Sequence, residues 1–265
     1  FGISLIRITM QSQLPPTEAL LQQDAGMIVM LEDRAATSPQ SFSLEHPREL
    51  LSHANQLVKE ERFVEALRYH DRALEFYKQQ QQVSVIGCCS EATAWRNKGA
   101  IHGKLKDYKS AVTAWKKSES LFRNCRERVL TSTPEGNGSQ QSLYPPEKQI
   151  CLDACIVEVL QSRAGAHMKL KDQFREAIDC HEEVIDLLLD IHRAGDELFS
   201  SKQIPLEGVG FTRMGPTRNT EALVTSLESL GGLYTSTGAY EDGLAAFEEA
   251  LQILRARQSG SGHNQ

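Results

Sequence analysis

What this chain lacks narrows its chemistry first. It has no run of 18 consecutive apolar residues, so no segment is expected to cross a membrane as a helix. Aromatic residues are scarce, 6% of 265 with two tryptophans among them, and no segment sustains the alternation of a strand. Positive charge is not in excess. The 29 Lys and Arg stand against 35 Asp and Glu, a formal −6, which argues against nucleic acid as a partner. The six cysteines include no C-x-x-C pair. Cys151 and Cys155 share a helix face and His181 could join them on zinc, but nothing else fixes such a site. Reduced thiols in a cytoplasmic or nuclear protein, without metal or cofactor, are the expectation.

Enzyme signatures are missing too. There is no G-x-x-x-x-G-K-[ST], no G-x-S-x-G and no H-E-x-x-H. Gly208, Gly210 and Gly215 in EGVGFTRMG follow a helical stretch rather than a strand and read as loop. The pairs Glu182–Glu183 and Glu248–Glu249 sit among other charges and read as solvated helix faces. The sequence therefore predicts no catalytic residue. The chain begins at Phe1, FGISLIRI lacks a cleavage site, and Met10 is a candidate start. Ser38-Pro39 and Thr133-Pro134 are candidate proline-directed phosphorylation sites, and Asn137-Gly138-Ser139 is a sequon expected to be idle.

What is present is one degenerate pattern that recurs four times. A small anchor (Ala54, Gly99, Gly165, Gly231) is followed nine residues on by an aromatic: Phe63, Tyr108, Phe174 and Tyr240. Twelve on stands a small residue: Ala66, Ala111, Ala177 and Gly243. Sixteen on stands a ring: His70, Trp115, His181 and Phe247. Nineteen on come Ala73, Ser118, Val184 and Ala250. Four before the anchors are Leu50, Trp95, Gln161 and Leu227. The anchor suits a close helix crossing, with the small residue twelve on as its partner and the rings filling space toward the next pair. Apolar spacings of three and four on both sides of each turn predict an all-α chain.

This pattern resembles the tetratricopeptide repeat family over roughly residues 47–257, best in LESLGGLYTSTGAYEDGLAAFEEALQI. The resemblance implies an α-solenoid of antiparallel helical hairpins, about eight main helices in all. The expected units lie near 47–82, 88–130, 147–201 and 218–258. A leader, 1–46, is expected to hold a helix over Thr17–Glu32 and a linker, and 259–265 a flexible tail. Anchor spacings of 45, 66 and 66 residues exceed the family's period of about 34. Long second helices and two loops, TSTPEGNGSQQSLYPP and KQIPLEGVGFTRMGP, take up the excess.

The family geometry also implies a partner surface. The first helix of each pair lines a concave wall, at six, three and two residues before the anchor and one, four and five after it. On that count the wall carries Arg48, Asn55, Lys59, Arg96, Asn97, Lys104, Arg163 and Lys169. Six of its 24 positions are basic and one is acidic, in an acidic protein. Such a wall favours a protein or peptide partner of acidic character, with no role for nucleic acid or membrane. In part it resembles the family's chaperone-binding branch, which clamps an acidic chaperone C-terminus. Asn55, Asn97 and Arg163 match that pattern, whereas Leu51 and Val159 stand where its lysines belong. The expectation is a non-catalytic interaction scaffold; the alternatives are a co-chaperone docking module and a structural subunit of a larger assembly.

Overall fold

The computed structural model describes residues 46–79, 85–131, 146–170, 172–201 and 216–261. The expected leader helix, both long loops apart from the end residues Thr131, Pro146 and Pro216, the candidate phosphorylation sites and the sequon lie outside these residues. Eight helices and no strand occur among the described residues: α1 (Pro47–Lys59), α2 (Phe63–Gln79), α3 (Val85–Lys104), α4 (Tyr108–Thr131), α5 (Pro146–Lys169), α6 (Phe174–Ser201), α7 (Pro216–Thr237) and α8 (Tyr240–Ser261). Proline opens α1, α5 and α7, where the first-turn N–H has no helical acceptor to lose. Each helix packs on the next in the chain, giving four hairpins stacked in sequence order as an all-α solenoid. The helix α8 runs on to Ser261, into the stretch expected to be tail.

The largest apolar core lies between the second and third hairpins. Trp115, Phe122 and Cys125 from α4 meet Ile156 and Leu160 from α5 and Val184 from α6. Full burial of each large aliphatic side chain contributes roughly 1.5–3 kcal/mol. Smaller clusters join the other units, Leu50, Ala73 and Ala94 at one end and Val224, Leu227 and Ala250 at the other.

The turn inside a hairpin has one recipe in units one, two and four. The seventh residue after the anchor has positive φ: Glu61 at 60°, Lys106 at 61° and Gly238 at 88°. The following N–H then donates to a carbonyl five residues back. Arg62 reaches Leu57, Asp107 reaches His102 and Ala239 reaches Tyr234, each at 2.9 Å. This left-handed cap closes the last turn of the first helix. Asp107 then starts α4 by accepting the Ser110 N–H at 3.2 Å.

The third unit differs, and the difference corrects the repeat count. Gly165 is only half-buried, while Ala164 beside it is fully buried. Leu160 is fully buried four residues before Ala164, where Gln161 was counted. The His167 ring meets Gln173 in the turn at 2.7 Å, as His102 meets Asp107 at 3.4 Å. Counted from Ala164, His167 and His102 both stand three residues on. The anchor of the first helix is therefore Ala164. The second helix keeps the offsets from Gly165, with Ala177 and Val184 fully buried. One extra turn residue reconciles the two.

The ring sixteen residues on also presses back on its own hairpin, besides the space between units where Trp115 lies. A Cβ added at Gly99 would stand 2.6 Å from Trp115 Nε1, and one at Gly231 would stand 2.8 Å from Phe247. Both rings press on the anchor of their own hairpin. The glycine anchors are small chiefly to admit this ring.

Candidate functional site

The corrected register rearranges the wall. Five residues after Ala54, Gly99 and Ala164 stand Lys59, Lys104 and Lys169. Each is exposed and each ends its helix. Cations there complement the partial negative charge of a helix C-terminus. The three lysines thus occupy one repeat position on α1, α3 and α5. Counting from Gly165 had put Leu170 at that position and hidden the row. The fourth unit has Ser236 there, also exposed.

The other expected groove residues divide by depth. Arg48 is exposed on the first turn of α1, and Asn55 is half-buried with its side-chain oxygen enclosed. Arg96 and Asn97 are buried, 5% and 4% exposed. The Arg96 guanidinium donates to Glu158 on α5 at 2.7 Å. Glu158 stands six residues before Ala164, so this ion pair joins neighbouring first helices across the wall. Its cost of desolvation is offset only while both partners remain. Arg163 turns away from that wall. Its guanidinium pairs with Glu119 on α4 and donates to Cys180 Sγ on α6 at 3.2 Å. Of the three residues matching the chaperone-binding pattern, one is buried and another faces the second helices.

Arg163 belongs instead to a charged network. Glu119 also accepts from Arg123 at 3.0 Å, and Arg123 pairs with Glu183 on α6. Burial lowers the Arg123 pKa, but the Glu119 and Glu183 carboxylates outweigh it and hold the value above the ordinary one. The network borders a cleft of about 480 Å³ that Lys116, Ser120, Asn124 and Glu127 also line. Lys98, one residue before Gly99, reaches Asp71 on α2 in the way Arg163, one residue before Ala164, reaches Glu119. Tyr234 donates to Glu182 in the next junction. An incoming first helix thus extends a polar head to an acid on the preceding second helix at each of the three junctions. Counting by anchors alone gave these pairs no signal, because the acids sit on faces that read as solvated.

The most shifted imidazoles, His70 and His181, occupy the ring position, and burial lowers both to about 4. Neither ring nitrogen of either residue has a hydrogen-bond partner, as suits packing groups. Burial pushes the Cys155 and Cys180 thiols up, away from reactive thiolate. None of the six cysteines forms a disulfide. Among the described residues no cluster of three His, Cys, Asp or Glu could hold a metal, and no helix is long and apolar enough to cross a membrane.

Comparison with known proteins agrees with this architecture. The family model described as tetratricopeptide repeat matches residues 223–263. BtubC (BKLC) from P. vanneervenii is similar in structure, with a TM-score of 0.52 and 12% identity over 94% of this chain and 78% of that one. Nearly identical TPR-like repeats of the kinesin light chain type from Podosopora anserina align over 94% of this chain and 92% of theirs, at 13% identity and a TM-score of 0.43. No curated protein matches the sequence significantly. At such identities the structural likeness speaks for the fold alone. Proteins of this repeat class generally bind proteins or peptides and are typically non-catalytic. The chain thus carries a tetratricopeptide-repeat match on its last hairpin, within a stack of helical hairpins that has the fold of such repeats throughout the described residues.

Proposed function

We propose that this chain is a non-catalytic interaction scaffold that holds an extended acidic segment of a partner protein against α1, α3 and α5. The observation that carries the reading is the row of Lys59, Lys104 and Lys169 at one repeat position, all exposed on an otherwise acidic protein. Ammonium groups repeated at one position per hairpin suit a ligand whose carboxylates also recur along its length. A surface of one charge sign steers such a ligand and makes its association depend on salt. Arg48 and Asn55 extend the same wall on α1 and add a guanidinium and a side-chain amide to it. Arg96 supports the wall from beneath through Glu158. The reading assigns Asn97 and Arg163 no direct contact with the ligand, since Asn97 is buried and Arg163 is engaged by Glu119.

The test is fluorescence anisotropy with a labelled Asp/Glu-rich peptide bearing a free C-terminal carboxylate. The wild-type chain should bind it at micromolar strength at low salt. Reversal of all three lysines to glutamate should weaken binding at least tenfold and flatten its salt dependence. Equal affinity in the triple variant would sink the reading.

A further inference from the structure

The last helix presents a face that the other second helices keep covered. Tyr240, Leu244 and Leu251 on α8 are 69%, 60% and 49% exposed. Their counterparts on α6 are Phe174, Ile178 and Ile185, and all three pack in clusters with side chains of α7 or at its junction. On α4 the counterpart of Leu244 is Val112, which is also buried. The match extends to polar groups. Glu182 on α6 accepts the Tyr234 hydroxyl of the incoming α7, and Asp71 on α2 accepts Lys98 of the incoming α3. Glu248 stands at that repeat position on α8 and is exposed.

We infer that this face of α8 docks an amphipathic helix of another polypeptide, seated as α7 is seated on α6. The incoming helix carries aliphatic side chains three and four residues apart, and a hydroxyl, lysine or arginine that reaches Glu248. Charge complementarity and the repetition of the same contacts at earlier junctions define this occupant. A second copy of the chain is a poorer fit. Its own first helix already buries Leu50 and Leu57, the side chains it would need to offer. The site is separate from the lysine row and does not depend on it.

The probe is a labelled peptide with the sequence of residues 216–237, the segment that naturally covers α6. A hydrocarbon staple joins positions 221 and 225, both exposed in the folded chain, because an isolated helix of this length is marginal. Titrated against the full chain, it should bind saturably. Leu244→Glu/Leu251→Glu should weaken that binding at least tenfold while leaving the circular dichroism and melting of the chain unchanged, since both side chains are already in water. Glu248→Ala should weaken it by a few-fold. No saturable binding, or binding equally strong in the double variant, overturns the proposal. Self-association of the full chain that the double variant abolishes also overturns it, by assigning the face to a second copy.

Discussion

Trp115 lies against Gly99 so closely that a Cβ on the glycine would stand 2.6 Å from the indole nitrogen. That nitrogen donates to the Arg96 carbonyl at 3.2 Å, which fixes the ring in place. Gly231 faces Phe247 with a similar gap, 2.8 Å, but Phe247 is 36% exposed and has room to withdraw. Alanine adds helix propensity worth about 1 kcal/mol at either site, against an overpacking cost of about 1–3 kcal/mol where the neighbour cannot move. Gly99→Ala should therefore lose about 1 kcal/mol or more in urea denaturation, and Gly231→Ala should be near neutral. A larger loss at Gly231 would contradict this account of the rings.

The third unit offers a test of register. Taking Ala164 as the anchor, Ala164→Leu should destabilise the chain by about 2 kcal/mol or more, because a fully buried Cβ has no space around it to fill. Gly165→Ala should be neutral or gain up to about 1 kcal/mol from helix propensity. Thermal melts of the two variants decide the matter. The reverse order would restore Gly165.

That unit also shows where reading the sequence stops. Small residues and rings recur at fixed offsets because close helix crossings leave few choices, and the all-α stack follows from them. The count ran from anchor to second helix, and it could not see a residue inserted in the turn between them. A signal was present: HGKLKDY in unit two and HMKLKDQF in unit three share His, Lys, Leu, Lys and Asp, and differ by one residue before the ring. Aligning those strings would have brought Lys169 into line with Lys104. The partners of Arg96 and Arg163 were not legible at all. Which acid a guanidinium meets depends on the offset between neighbouring hairpins, and that is set by loops of irregular length.

The left-handed caps make a further prediction. Glu61 and Lys106 hold φ near +60°, where a side chain crowds its own backbone and glycine does not. Glu61→Gly and Lys106→Gly should each raise stability by up to about 1 kcal/mol, with no change in helix content. Gly238→Ala, at φ 88°, should lower it by a similar amount, although nothing lies within 4 Å of the added Cβ. The Glu61 variant also loses charge from an exposed site, so Glu61→Asn, which tolerates this conformation, serves as a second measure.

Acid should loosen the stack through His70 and His181. Burial holds both folded-state values near 4, below the ordinary 6.5. Asp71 favours the charged form of His70 and Lys98 opposes it, but desolvation dominates; for His181 desolvation is the sole cause. A depressed value means that the unfolded chain binds these protons first. Their contribution to stability is therefore complete above pH 6.5 and is lost as pH falls from there toward 4. At about 1.4 kcal/mol per pH unit, the two together set an upper limit of roughly 6–7 kcal/mol. The melting temperature should be level from pH 8 to 7 and fall steadily below 6.5. Phenylalanine fits the same repeat position in unit four, so His70→Phe/His181→Phe should flatten the decline between pH 6.5 and 5. An unchanged slope in that variant would move the acid sensitivity to other groups and leave the two rings as neutral filler at every pH.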